Sequence, residues 1–297
     1  MIDIILTIIT FSMMLIIFKY FELFKVNNLQ AIIVNYFTAG FLAIALDNNQ
    51  SEISLTKVLN ADYIPQAFVI GVLFIITFNL VAYGTQKIGI AITTVANKMS
   101  MIIPVLAGLF LFNEDKDLIK IAGVLLAVFA IYYSSTKNGK LSFDKKYLLI
   151  IILIFIGQGL ADSTLKWAQE KTLNESNNGT FFASTFIIAA LMGSLFLIYE
   201  TIKGQHKFKL KNILWGIILG IPNYFTLYFF VKALSSDVFQ SSQIFPIVNM
   251  GVIIITAISG IILFKEQLSR SNWLGILLAV VAISLITFTK EIMQIFY

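Results

Sequence analysis

Residues 78–104 read FNLVAYGTQKIGIAITTVANKMSMIIP, and an asparagine and a lysine, Asn97 and Lys98, stand inside an otherwise apolar run. The chain continues through Phe112-Asn113-Glu114-Asp115 to Ile121-Ala122-Gly123-Val124-Leu125-Leu126-Ala127-Val128, so three apolar spans follow one another with almost no connecting chain. A charge placed in hydrocarbon costs several kcal/mol and marks a functional site by default. Lys98 stands about ten residues into its run, roughly 15 Å along a helix and near the middle of a membrane. Snorkelling to an interface is difficult from that depth.

Working outward, the second half restates the arrangement. Residues 228–234 read YFFVKAL, Pro246 follows, then Phe264-Lys265-Glu266-Gln267, then Trp273-Leu274-Gly275-Ile276-Leu277-Leu278-Ala279-Val280. Glu114 and Glu266 stand 152 residues apart, as do Gly123 and Gly275, and Lys19-Tyr20 and Lys166-Trp167 stand 147 apart. Self-similarity at a fixed offset signals a duplicated unit. An odd number of spans per unit makes the second copy enter the membrane from the other side, which gives inverted repeats around a mid-depth site, as in transporters.

Composition agrees with a membrane-embedded chain. Of 297 residues, 58% are hydrophobic and 12% charged, and the mean hydropathy is +0.88. A soluble domain is nearer half apolar and a quarter charged. About 20 mostly apolar residues span a bilayer as a helix, and ten such spans are expected, at 3–20, 28–46, 64–85, 88–112, 117–135, 147–167, 180–201, 211–232, 238–264 and 271–289. The expected fold is all-α and integral to the membrane, with ten transmembrane helices in two inverted five-helix repeats, 1–136 and 147–289, joined by a loop at 137–146. The first run, Ile4 to Phe18, has neither a basic flank before it nor a small-residue cleavage site after it, and reads as a retained helix. With no cysteine, thiolate chemistry and disulfides are excluded. The single histidine, His206, lies in a lysine-rich loop. There is no metal-ligand spacing, nucleophile motif or nucleotide-binding P-loop, so the chain is not expected to be an enzyme, to need a cofactor or to hydrolyse ATP. The net charge of +5 comes from loop lysines, which report orientation and lipid headgroups, not nucleic acid. The expected partners are a small-molecule substrate and membrane lipids, with the protein a monomer or a homodimer.

These segments resemble the drug/metabolite transporter superfamily and, within it, the ten-helix EamA-type permeases, over nearly the whole chain. The resemblance is carried by FNED…IAGVLLAV (112–128) and FKEQ…LGILLAVVAI (264–283), which look like the family's Gly-Glu turn followed by a Gly-containing helix, with Asn113 and Lys265 replacing the usual Gly. Pro104 and Pro246 look like the family's prolines in helices four and nine, and Asn35 stands about where members often carry an Arg. The resemblance implies export or exchange of small metabolites, amino acids, drugs or sugar nucleotides, in a bacterial cell (inner) membrane. It also implies cytoplasmic termini, whereas more lysines fall on the face opposite the termini, which by the positive-inside rule puts the termini outside. Sidedness stays open.

The candidate substrate-binding residues follow from buried polarity. Lys98 reads as a cation facing a central cavity, or as a structural lysine neutralised by a neighbouring helix. Gln158, Asp162 and Lys166 share one helix face at i, i+4, i+8; Asp162 either pairs with Lys98 in one state or pairs with Lys166 along its own helix. Asn97, Asn79, Tyr83, Asn223, Tyr224 and Tyr228 need partners inside protein or water. Gln240, Gln243 and Asn249 are assigned to the cavity wall, and Pro222 breaks its local backbone bond, either opening the eighth helix for a ligand or making a packing kink. The phenylalanines read mostly as lipid-facing or core, the alternative being that a few near the cavity, with Trp167 and Tyr224, stack on a cationic or aromatic drug. Glu114 and Glu266 are expected to cap the helices that follow them, and Gly123 and Gly275 to permit close helix packing. A flippase for a lipid-linked intermediate, with the lysines of 137–146 and 203–211 as its headgroup site, and an uptake or exchange system for a small anionic metabolite are the alternatives.

Overall fold

The computed structural model describes residues 1–46, 58, 60–104, 106, 118–134, 136–137, 140–141, 143–173, 177–202, 209–234 and 241–288. Within them lie ten helices: α1 (Ile2–Leu23), α2 (Asn28–Ala45), α3 (Ile64–Lys87), α4 (Ile90–Met99), α5 (Leu118–Ser134), α6 (Leu148–Lys171), α7 (Asn178–Ile202), α8 (Leu210–Leu234), α9 (Ser241–Phe264) and α10 (Arg270–Thr287). Eight are long and apolar enough to cross a membrane, and Ile90–Pro104 and Ile121–Ser134 add two shorter apolar helices. The protein is an all-α, multi-pass integral membrane protein. The ends meet the expected spans to within a few residues, except that the far end of the fourth, expected at 112, and Glu114 lie outside the described residues. The expected loop at 137–146 contains a two-residue antiparallel ladder, Thr136 opposite Leu141 and Lys137 opposite Lys140, then a 3-10 turn, Lys145–Tyr147, capped by Asp144.

The turns explain where helices stop. Lys25 at φ 49° ends α1, and the Val26 N–H returns to the Phe21 carbonyl at 2.8 Å. Asn27 then caps α2, its side chain accepting from the Gln30 N–H at 3.0 Å. Gly89, at φ 123°, lets α4 begin almost directly after α3; that backbone region suits glycine. Lys265 at φ 53° ends α9. The residue that replaces the family's usual Gly therefore occupies the left-handed conformation that favours Gly. Helix α8 continues through Pro222, which has no N–H to give to the backbone ladder.

The helix pairs are matched. Helix α1 packs on α8 and α6 on α3; α2 on α8 and α7 on α3; α1 on α9 and α6 on α4; and α2–α7, α4–α9 and α5–α10 are mutual. Exchanging each helix for the one five places along returns this set, although among the described residues α1–α3 and α2–α3 also pack together without counterparts of similar extent at α6–α8 and α7–α8. Glycine contacts repeat the match at atomic level. A Cβ on Gly275 would fall 2.8 Å from the Ala130 carbonyl oxygen and 2.1 Å from the Ser134 nitrogen, and one on Gly123 would fall 3.1 Å from the Ala282 carbonyl oxygen and 2.7 Å from Ile286 Cγ1. The 152-residue shift that takes Gly123 to Gly275 also takes Ala130 to Ala282 and Ser134 to Ile286. The start of each helix meets the end of the other, so α5 and α10 run antiparallel. In the same way Gly71 meets Thr185 and Ile188, and Gly220 meets Asn35 and Thr38.

Candidate functional site

Every residue of α4 from Ile90 to Met99 is buried. A helix buried all round lies at the centre of its fold, and it carries Asn97 and Lys98 inward. Around it, helices of both halves enclose a cavity of about 160 Å³. By the room one water needs, that is space for about ten waters, or a ligand on the order of ten non-hydrogen atoms. Its polar lining is Thr7 from α1, Asn97 and Lys98 from α4, Gln158 and Asp162 from α6, Asn223 and Thr226 from α8 and Asn249 from α9.

Lys98 is 8% exposed, and its ammonium sits 3.3 Å above the centre of the Phe11 ring. A cation–π contact returns about 2 kcal/mol when desolvated, less than the several kcal/mol that burying an ammonium costs. Asp162, which lines the same cavity, adds an electrostatic attraction to Lys98. The two face the cavity without an ion-pair contact inside 4.0 Å. Asp162 is instead held by its own helix and by Ser100 at the end of α4. Asn97 Nδ2 donates to Gln158 Oε1 at 3.2 Å, and Gln158 Nε2 donates to Asp162 Oδ1 at 2.8 Å. This chain of amides fixes the carboxylate by the i, i+4 face read from sequence, with Gln158 and not Lys98 as a direct partner. Asn223 Nδ2 donates to Asn35 Oδ1 at 3.1 Å, and Thr226 donates to the Pro222 carbonyl at 2.7 Å. Asn249 Nδ2 reaches Met101 Sδ at 3.8 Å.

Of the expected site residues, Lys98, Asn97, Gln158, Asp162, Asn223 and Asn249 come together at the cavity. Four do not line it. Asn79 turns its amide to the Ile75 carbonyl of its own helix at 2.7 Å, which meets its need for a partner locally. Tyr83, 38% exposed, packs edge-on against Tyr147 at 6.0 Å. Tyr228, 44% exposed, stacks with Tyr224 at 6.1 Å, and Tyr224 is buried among the core side chains. Gln240 lies outside the described residues, as do the side chains of Gln243 and Pro246, whose backbone belongs to α9. Pro104 closes the last described turn of the fourth span, half-buried.

Sequence reasoning did not identify which phenylalanines form the aromatic wall. Phe11, Phe74, Phe78, Phe182, Phe186 and Phe230 line the cavity, with Phe78 and Phe186 backed by the buried Tyr36 at 5.4 and 6.0 Å. The available signal was spacing: Thr7 with Phe11, Phe74 with Phe78 and Phe182 with Phe186 stand at i, i+4 and share helix faces.

Glu266 also departs from expectation. It does not cap α10. Ser269 does, its hydroxyl accepting from the Asn272 N–H at 3.2 Å, while Asn272 Oδ1 accepts from the Ser269 N–H at 2.9 Å. Glu266 Oε1 instead accepts from the Ile90 N–H at 2.9 Å, so it caps α4, the helix that carries Lys98. A carboxylate suits any helix start, and only the packing decides which one it reaches.

Residues 145–288 match the model of the EamA-like transporter family. Over 267 residues the chain is 29% identical to an uncharacterized protein of Haemophilus influenzae, covering 89% of each. A solved crystal structure superposes with a TM-score of 0.64 at 13% identity, covering 99% of this chain and 98% of that one, a likeness of fold. The second half of the chain thus carries an EamA-like transporter family domain, which supports membership of the drug/metabolite transporter superfamily.

Proposed function

We propose that this protein is a secondary active transporter of the bacterial inner membrane that exports a small molecule by alternating access. Its halves, 1–136 and 147–289, rock about the cavity as inverted repeats. The observation that carries the proposal is a cavity, walled by both halves, that holds a buried ammonium and a half-buried carboxylate. Intramembrane charges of this kind mark substrate or ion paths. The matched helix pairs and the antiparallel α5–α10 contact support the inverted relation. Among small metabolites, amino acids and drugs, the lining favours a zwitterion with an apolar or aromatic body. Its carboxylate goes to Lys98, its cationic group to Asp162, and its body lies against the phenylalanine faces. A purely anionic metabolite is disfavoured, since Asp162 would oppose its charge. The exposed Lys145 and Lys146, offered by the flippase alternative, stand at the start of α6, away from the cavity wall.

The test is comparative metabolomics of cells and medium with the wild-type chain, Lys98→Gln and an empty vector. A compound enriched in the medium only with wild type names the substrate and ties it to Lys98. Full export by a folded, inserted Lys98→Gln chain would sink the central-cation role. If Asp162 also exchanges the coupling proton, Asp162→Asn, which keeps an acceptor for Gln158, flattens the pH dependence of export; an unchanged pH profile removes the proton from this site.

A further inference from the structure

The cavity is one-sided. Its wall reaches Thr7 near the start of α1, Phe182 near the start of α7, Leu165 near the end of α6 and Phe230 near the end of α8, all at the face that carries the start of α1 and the end of α10. Toward the opposite face the lining stops at Met14 on α1 and at Phe78 on α3, although those helices run on to Leu23 and Lys87. Beyond that depth the two halves are fastened together.

Part of the fastening joins the starts of α2 and α8, where Asn212 Nδ2 donates to Gln30 Oε1 at 2.6 Å and the Asn27 N–H donates to Asn212 Oδ1 at 3.1 Å; the part that reaches the binding-site helix is built around one carboxylate. Lys265 at φ 53° reverses the chain after α9, and the Glu266 N–H returns to the Gly260 carbonyl at 2.9 Å. This delivers the Glu266 side chain across the boundary between the halves to the first N–H of α4, at Ile90. Lys19 Nζ stands 3.6 Å from the same oxygen and donates to the Thr85 carbonyl at 3.0 Å and the Gln86 carbonyl at 3.4 Å. Gln86 Nε2 in turn donates to the Phe18 carbonyl at 3.0 Å, which stitches α3 to α1. The carboxylate lies between two glycines: a Cβ on Gly89 would fall 3.2 Å from Glu266 Oε2, and one on Gly260 2.9 Å. Any side chain at either position would crowd it. Lys19 and Glu266 side chains are only 17% and 14% exposed, and a charge-assisted bond to a helix N–H is stronger when little water competes for it.

We propose that Glu266 is the closure of this face: its grip on the first turn of α4, steadied by Lys19, keeps solvent from Lys98 and Asp162 on that side, and transport requires its release. The binding-site helix is then held by the half that does not contain it, so opening this face and freeing α4 are one event. The transporter reading supplies only the purpose of that motion. Solvent access is measured without any substrate, so this proposal and the substrate assignment fail independently.

The chain has no cysteine, so one introduced cysteine reports alone. Thr226→Cys places it in the cavity, and Lys145→Cys, in a separate protein, identifies which vesicle face is the one opposite the termini. A membrane-impermeant maleimide is applied to each face of reconstituted vesicles. Thr226→Cys is expected to label from the terminal face, and about fivefold or more slowly from the other. Adding Glu266→Ala is expected to raise labelling from the opposite face by about fivefold or more. Glu266→Gln, which keeps an acceptor for Ile90 but loses the charge facing Lys19, gives a smaller rise, as does Lys19→Gln. A single symmetric peak in gel filtration and a wild-type circular-dichroism spectrum show that each variant is folded. If Glu266→Ala does not fold, the two milder variants decide. Unchanged opposite-face labelling in the folded variants overturns the proposal, as does equal labelling of the unmodified background from both faces.

Discussion

Gly275→Ala is expected to destabilise the protein far more than Gly123→Ala, although the two glycines are repeat equivalents on matched helices. A methyl group on Gly275 would stand 2.1 Å from the Ser134 nitrogen, 2.5 Å from Ser134 Cα and 2.8 Å from the Ala130 carbonyl oxygen. All three are backbone atoms of α5, so no rotamer change relieves the clash. Reaching ordinary contact distance requires α5 and α10 to part by about 1 Å or more. That separation also strains the bond from Asn272 Nδ2 to the Ser134 carbonyl, now 2.6 Å, itself worth about 1 kcal/mol. Overpacking costs about 1–3 kcal/mol, more where backbone is struck, and the higher helix propensity of alanine returns about 1 kcal/mol. The net expected loss is about 2–3 kcal/mol. At Gly123 the nearest atom is Ile286 Cγ1 at 2.7 Å, a side chain that can turn, with backbone atoms no closer than 3.1 Å. The helix-propensity gain then nearly cancels the crowding, leaving a loss of about 1 kcal/mol or less. Denaturant titration of the two purified variants in detergent, followed by tryptophan fluorescence, measures both. A Gly275→Ala protein as stable as wild type, or one harmed no more than Gly123→Ala, would refute the reasoning that the α5–α10 contact is set by backbone approach.

Two other outcomes follow from single contacts. Phe11→Leu removes the ring under the Lys98 ammonium, a contact worth about 2 kcal/mol in a dry site, and should weaken export about tenfold or more while Phe11→Tyr preserves it; equal transport rates for the two would show that the ring only fills space. Lys265→Gly relieves a left-handed backbone conformation and should stabilise the protein by about 1 kcal/mol, read as a rise in thermal midpoint, with a fall arguing instead that the lysine side chain itself holds the turn.

The ten spans were legible because lipid leaves the backbone no alternative to helix, and polar breaks such as Asp47 to Glu52 or Lys137 to Lys146 are visible in the letters. Lys98 and Asp162 were legible for the same reason: charge within an apolar run stands out. The aromatic wall was not. In water a buried phenylalanine and a surface one differ in free energy, but against lipid the two environments are nearly alike, so 27 phenylalanines carry little positional information. Asn79 and Tyr83 misled for a related reason, since an amide or phenol inside a span can satisfy itself on its own helix or at the interface without reaching a cavity. Glu266 was assigned to the wrong helix because sequence shows which helix start is next along the chain. The start it reaches, at Ile90, is close only after folding.

The glycine-lined meeting of α5 and α10 has a mechanical consequence. Neither helix contributes to the cavity wall, and each is pressed against the other's backbone near both ends. Two rods in such contact resist sliding and parting, yet the points of approach leave them free to pivot a little as a unit. In the proposed rocking of the halves they would serve as a fulcrum, with the helices that enclose the cavity as levers, so that a small tilt at this post would become a larger displacement at the two faces of the membrane.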